Sequence, residues 1–237
     1  MVHYKRILLK LSGEALLGKK AFGIDVKVLE EIADQVKILK AEGVEVGIVI
    51  GGGNIFRGSE SKELHIDRTI ADYMGMLATV INALALQNAL LKKGIDARVM
   101  SSLSLMQVAE PYILAKALSH FEKGRIVIFA GGTGLPFFTT DTTAALRAIE
   151  IKADAIFKAT KVDAIYSADP ANTSNAHKYT SISYTEFLVK DLRAIDSTAV
   201  SLCREFKMPI VLFNVKTKGN LVRAVLKGGV GTHIKEG

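Results

Sequence analysis

The stretch VEVGIVIGGGN, Val44 to Asn54, sets an apolar run directly against three glycines. Such a run has little polar alternation, so both of its faces expect cover, as in a parallel strand packed between helices. The glycines let the backbone approach a ligand closely and can turn N–H groups toward phosphate oxygens. A tight turn alone needs only one or two special residues. Outward from this point the grammar repeats. Apolar runs predict further strands at Arg6 to Leu11, Ala97 to Ser101, Arg125 to Ala130, Asp154 to Ala159 and Pro209 to Phe213, beside Val44 to Ile50 itself. Helical patterns fill Val26 to Ala41, Arg68 to Lys93, Pro111 to Phe121, Thr142 to Ile151, Thr198 to Phe206 and Asn220 to Leu226. Ser183-Tyr184-Thr185-Glu186 adds the capping-box start of another helix. Strands alternating with helices, and no linker or low-complexity tract between them, predict an α/β fold.

The composition narrows the classes. At 237 residues and 49% apolar, the chain has enough material for one large domain or two lobes. The net charge of +7 is scattered, with no run of Lys or Arg longer than two, which argues for small anionic ligands or solubility rather than a nucleic-acid surface. Cys203 is the single cysteine, and the five histidines lie far apart, so neither an oxidised scaffold nor a zinc site is expected and the cytosol is the default. MVHYKRILLKLSGEA reads as a first strand rather than a signal peptide. Asn172-Thr173-Ser174 matches a glycosylation acceptor that has no meaning without secretion. MGMLATVINALALQNALL, Met74 to Leu91, is nearly long enough to span a bilayer. Thr79, Asn82, Gln87 and Asn88 interrupt it, so a helix buried on most sides and touching a second subunit is the better expectation.

In parallel α/β sheets, ligands sit beyond the carboxyl ends of the strands. Four loops there are unusual: LSGEA, GGGNIFRG, GGTGLPFFTTD and TKVDAIYSADP. The first brings Lys10, Ser12 and Gly13 to a strand end, where a lysine can act as a point charge on a phosphoryl group. The second adds Arg57 after its glycines. Gly13 to Lys19 nearly completes a P-loop, but Lys20 stands where Ser or Thr would hold magnesium. A Rossmann fingerprint fails at Phe56 or Phe137, which occupy the third glycine position. Asp141 and Asp196 each fall at a helix start, and taken singly either reads as a cap. Together with Lys10 and two glycine loops they form a plausible phosphoryl-transfer constellation. Tyr166 can cover a base, and Asp163 and Asp169 can take ribose hydroxyls or position a lysine, with turn chemistry at Ala168-Asp169-Pro170 as the alternative.

KRILLKLSGEAL, FGID, VGIVIGGGNIFRG, DYMGMLATVINALA, TGLPFFTTD, LRAIEI, KATKVD and PIVLFN together resemble the bacterial uridylate (UMP) kinases, a branch of the amino-acid-kinase family, over essentially the whole chain. The resemblance implies a three-layer αβα sandwich with a central, mostly parallel sheet. It implies one domain over residues 1–237, with an acceptor and oligomerisation lobe near 1–150 and an ATP lobe near 151–237. The implied reaction moves the γ-phosphoryl group of ATP to UMP, in pyrimidine nucleotide biosynthesis. On the donor side it implies ATP contacts from Lys10, Leu11, Ser12, Gly13, Gly53, Arg57, Thr160, Tyr166 and Asp169. On the acceptor side it implies UMP contacts from Gly52, Arg57, Asp72 and the loop Thr133, Gly134, Leu135, Pro136, Phe137, Phe138, Thr139 and Thr140, with the aromatics shaping a uracil slot. Lys10, Asp141 and Asp196 would be catalytic, Asp196 orienting Lys10, with Mg2+ carried mainly by ATP phosphates and no protein metal site.

Further implications are a homohexamer built as a trimer of dimers, inhibition by UTP and activation by GTP, with Arg98 and Arg125 near an effector site. The sequence departs from the family pattern at Leu135, where Asn is usual, and at Ala164, where Gly is usual; Gln87 and Leu91 replace basic residues of some GTP-activated members. Two other readings remain at this level. One is a kinase of the same fold acting on a carboxylate or carbamate; the other is a nucleotide-binding sensor or storage assembly without turnover.

Overall fold

The computed structural model describes residues 4–56, 65–168 and 175–237; Arg57, Asp169 and the Asn172-Thr173-Ser174 sequence lie outside them. The first half of the chain runs β1 (Arg6–Leu11), a short 3-10 turn (Gly13–Leu17), α1 (Val26–Ala41), β2 (Glu45–Ile50), α2 (Arg68–Lys92), β3 (Ala97–Ser101), β4 (Glu110–Pro111), α3 (Leu114–Glu122) and β5 (Ile126–Ala130). The second continues with α4 (Thr140–Glu150), β6 (Ala155–Thr160), β7 (Ile165–Tyr166), β8 (Lys178–Tyr179), β9 (Ser181–Ser183) and α5 (Tyr184–Val189). It ends with α6 (Ser197–Glu205), β10 (Ile210–Asn214), α7 (Asn220–Leu226) and β11 (Thr232–Lys235).

Nine of these strands form one sheet in the order β4-β3-β5-β2-β1-β6-β10-β11-β9, and β7 pairs with β8 apart from it. Within the large sheet only β10 and β11 are antiparallel. β1 lies at the centre, between β2 and β6. Its alternate side chains enter two separate cores. Ile7, Leu9 and Leu11 pack with α1, α2 and α7, whereas Leu8 joins residues of α3, α4, α5 and α6. Continuous apolar strands therefore follow from cover on both faces, and the architecture is the expected αβα sandwich.

Several element boundaries differ from the sequence reading. Pro111 pairs opposite Ser101 as part of β4, so α3 starts at Leu114 instead of Pro111. α4 starts at Thr140 because the Thr139 hydroxyl caps it, accepting the N–H groups of Asp141 and Thr142. The strands β4, β7, β8 and β9 hold only two or three residues, too few for periodicity to reveal. β11 was equally silent in sequence, since its partner β10 supplies its pairing through α7 rather than through a hairpin turn. Ser183 caps α5 as its motif predicts, accepting the Glu186 N–H at 3.1 Å. α2 is long and apolar enough to cross a membrane by length and composition, but half of its most apolar window is buried inside the fold.

Candidate active site

Lys10 and Lys158 face each other in the register of β1 and β6, on the side of the sheet covered by α4 and α6. Asp141, in the first turn of α4, meets both. Its Oδ1 lies 2.8 Å from the Lys10 ammonium, and its Oδ2 accepts a hydrogen bond from Lys158 at 2.5 Å. The Lys10 contact is a close ion pair between two largely buried groups. Lys158 also donates to the carbonyl of Ala194 at 2.7 Å. Burial raises the Asp141 carboxyl, but the two ammonium groups outweigh it and hold it at about 2. Burial also pushes Lys158 below the ordinary lysine value, against the pull of Asp141 and with the help of Lys10.

The carboxylate touching Lys10 is thus Asp141. Asp196 caps α6, accepting the Ala199 N–H at 2.8 Å, and accepts the hydroxyls of Thr139 and Thr142. It ties the start of α6 to the start of α4 and lends negative charge to Lys158 from a distance.

The loops after β1 and β2 lie against each other. A Cβ on Gly13 would stand 2.6 Å from the Gly53 N, and one on Gly52 would stand 2.6 Å from the Gly75 carbonyl of α2, so neither position has room for a side chain. Asn54 and Asn82 exchange amide hydrogen bonds at 2.9 and 2.7 Å while Asn82 also donates to the Gly51 carbonyl at 2.7 Å. One turn earlier, the Thr79 hydroxyl accepts the Gly131 N–H at 2.8 Å. Thr79 and Asn82, which interrupt apolar α2, therefore pin the glycine loops after β2 and after β5.

A cleft of about 210 Å³ opens between these loops and α2, lined by Gly52, Gly53, Arg68, Asp72, Leu135, Phe138, Thr139 and Thr140 among others. Asp72 accepts the Phe137 N–H at 2.7 Å and pairs with Arg68 at 2.9 Å. Phe137, at φ 70°, and Phe138 are 65% and 50% exposed, so the two aromatics present apolar surface instead of filling the core. Thr133 closes a small turn with Leu135, accepting its N–H at 3.2 Å and donating to its carbonyl at 3.1 Å. Gly134 and Pro136 belong to the same loop.

Beyond β6, the Thr160 hydroxyl donates to the Val162 carbonyl at 2.8 Å, and Lys161 pairs with Glu14 at 2.6 Å across to the 3-10 turn. Ser12 caps that turn through the Ala15 N–H, and Leu11 ends β1 beneath it. Tyr166 donates to Asp163 at 3.0 Å, and Asp163 also pairs with Lys178. Tyr166 borders a second cleft of about 400 Å³ whose far wall is residues 190–194. Ala164 is buried and its backbone is not left-handed, so the absence of glycine there strains nothing.

Arg98 and Arg125 lie away from both clefts, at β3 and beside β5. Both are paired with Asp96, Arg125 at 2.8 Å, and Arg125 also reaches the Nδ1 of His120. An anion binding there competes with Asp96.

The sequence reading missed Lys158, Thr79 and Asn82 as site residues. A signal existed for Lys158: like Lys10, it interrupts a strand expected to be buried on both faces.

The amino acid kinase family model matches residues 5–214. Among solved structures, the chain is similar to UMP kinase from Bacillus anthracis, with 41% identity over 99% of this chain and 97% of that one and a TM-score of 0.96. UMP kinase from Ureaplasma parvum is 35% identical over the full length of both chains, with a TM-score of 0.94. Uridylate kinase from Archaeoglobus fulgidus is 30% identical over 96% of this chain and 99% of that one, with a TM-score of 0.78. With the family model matched over residues 5–214 and a solved structure 41% identical over 99% of its length, the chain belongs to the amino acid kinase family.

Proposed function

We propose that the protein is a UMP kinase, transferring the γ-phosphoryl group of ATP to UMP to give UDP and ADP. The observation that carries this reading is the cleft walled by the glycine loop after β2 and the aromatic-bearing loop, whose Thr139 and Thr140 open the helix that brings Asp141 to Lys10 and Lys158, in a chain so similar throughout to the B. anthracis UMP kinase. In the transfer, the bond from the γ-phosphorus to the ADP bridging oxygen breaks and one to a UMP phosphate oxygen forms. That oxygen is already anionic near neutral pH, so positioning and charge neutralisation matter more than a general base.

Lys10 and Lys158 supply the fixed positive charge. Asp141 keeps both ammonium groups aimed while it offsets their mutual repulsion. Ser12, Gly13 and Gly53 would hold ATP phosphates, and Thr160 and Tyr166 would border the adenosine. Asp72 and Phe138 would receive UMP, with Asp72 at the ribose and the aromatics at the uracil. Arg57 and Asp169 keep the phosphate and adenosine roles that the resemblance implies.

Among the described residues no cluster of three or more His, Cys, Asp or Glu side chains is placed to hold a metal ion. Asp141 is engaged by two lysines, so the donor set fits magnesium that arrives on the triphosphate, where it would neutralise phosphate charge. Self-association into a hexamer is supported by exposed apolar residues along α2, namely Ile70, Leu77, Ile81 and Leu91. UTP inhibition is expected through the acceptor cleft itself. A GTP response would require an anion to displace Asp96 from Arg98 and Arg125, so Arg98→Ala should alter effector response and leave unregulated turnover unchanged. A cytoplasmic location fits a single, buried, unpaired cysteine.

Identification of the product tests the reading: phosphorus NMR of the protein with ATP, Mg2+ and UMP should show UDP and ADP rising in equal amounts. ADP without UDP would contradict it.

A further inference from the structure

The loop that follows β5 is unusual in its backbone. Gly131, Gly132, Gly134 and Phe137 all take positive φ, at 75°, 58°, 83° and 70°. A chain this rich in left-handed conformations has many alternatives, so something must select one. On the cleft side the selection comes from Thr79 and Asp72, which accept the N–H groups of Gly131 and Phe137. On the opposite side it comes from Ser102, just after β3, whose hydroxyl donates to the Gly132 carbonyl at 2.9 Å.

A serine hydroxyl has one proton, and what it donates to depends on what it accepts from. Ser102 Oγ accepts from a guanidinium nitrogen of Arg147 at 2.9 Å, so its proton is left for Gly132. Arg147, on α4, is only 4% exposed. Its other terminal nitrogen donates to Glu150 at 2.5 Å, the Tyr112 hydroxyl donates to the same carboxylate oxygen at 2.6 Å, and the guanidinium lies 3.7 Å over the Tyr112 ring. Its Nε, fully buried, has no hydrogen-bond partner. An arginine kept in the core at that cost is held for its geometry, because an apolar side chain would fill the space without an orphaned donor.

Gly132 lines the acceptor cleft, whereas Ser102 and Arg147 stand behind it. We propose that Ser102 and Arg147 are positioning residues that fix the acceptor loop from behind and so set affinity for the acceptor nucleotide without touching it. The inference rests on reading that cleft as the acceptor site.

Steady-state kinetics on the full chain test it. Ser102→Ala should raise KM for UMP about tenfold, the size of one well-placed hydrogen bond, with kcat, KM for ATP and Tm close to wild type. Ser102→Thr, which keeps the hydroxyl, should restore the acceptor KM, and Arg147→Lys should resemble Ser102→Ala because an ammonium lacks the fork that reaches Ser102 and Glu150 together. Should Arg147→Lys fail to fold, the serine pair carries the test. An acceptor KM within twofold of wild type in Ser102→Ala would overturn the proposal, as would a parallel change in both KM values and Tm, the mark of a general structural role. Failure of the functional reading would show separately, as a wild-type protein with no UMP turnover; the acceptor it does use would then replace UMP in the same comparison.

Discussion

Lys10 and Lys158 are direct partners across two parallel strands, and their ammonium groups end on the two oxygens of one carboxylate, Asp141. Two lysines side by side on a buried sheet face repel one another and resist desolvation. The arrangement is stable because α4 delivers Asp141 between them, fixed by the cap at Thr139. The same carboxylate that makes the pair tolerable holds both ammonium groups near the carboxyl ends of β1 and β6, from which Lys10 is one residue and Lys158 two residues removed.

Removal of either ammonium should cost turnover far more than binding. Lys10→Met and Lys158→Met are each expected to lower kcat by about 100-fold or more while KM for the acceptor changes little, as for a contact made chiefly in the transition state. Near-normal turnover in Lys158→Met would remove that residue from the chemistry. Because burial pushes the Lys158 ammonium below the ordinary 10.5, wild-type turnover should begin to fall at a lower alkaline pH than an exposed lysine would give. Lys158→Arg, if active, should move that limb upward.

Asp141→Asn leaves two buried cations without their counter-charge. Urea unfolding at pH 7 should show a loss of about 3–5 kcal/mol, the usual cost of breaking a buried pair from one side. The sign of the pH dependence follows from a folded value of about 2 against an ordinary 3.8. Stability from the ionised carboxylate is fully present above the ordinary value and is lost as pH falls through the folded one. The gap between wild type and Asp141→Asn should therefore narrow below about pH 4; a constant gap would mean the carboxylate charge is irrelevant.

Asp72 holds the Phe137 N–H and pairs with Arg68. Asp72→Asn should raise KM for UMP by about tenfold or more and leave KM for ATP unchanged, as expected from the loss of a charged hydrogen-bond acceptor. Equal changes in both would show a disturbance that reaches the donor side.

Gly52 and Gly75 provide a steric contrast. Gly52→Ala would drive a Cβ to 2.6 Å from the Gly75 carbonyl and 2.8 Å from the Ala78 Cβ, and both Tm and turnover should fall. At Gly75 a Cβ meets no other atom within 4 Å, so Gly75→Ala should hold or raise Tm, given the better helix propensity of alanine. Equal Tm values for the two variants would contradict the close approach of the second loop to α2.

Most of the sheet was legible because its central strands are covered on both faces and so read as uninterrupted apolar runs. Lys10 and the glycine loops stood out because each breaks its local pattern. Lys158 breaks the same pattern, but the functional meaning of a buried lysine depends on the residue beside it, and Lys10 lies 148 positions away in the chain. Thr79 and Asn82 were visible only as interruptions in an apolar helix. Their partners, the Gly131 N–H and the Gly51 carbonyl, are backbone groups that no side-chain motif announces. Asp196 was expected at Lys10 itself, whereas its hydrogen bonds go to the α6 cap and two threonines; a carboxylate at a helix start is placed by sequence, but its partner is chosen by how helices pack.

ADP release from ATP and Mg2+ with UMP, CMP, dUMP, aspartate, glutamate or acetylglutamate as the acceptor in turn tests the central claim most directly. Strong release with UMP and little with the others is the predicted result. Release with an amino acid and none with a nucleotide would contradict it, and would mean that Phe137 and Phe138 present their exposed rings to something other than a base.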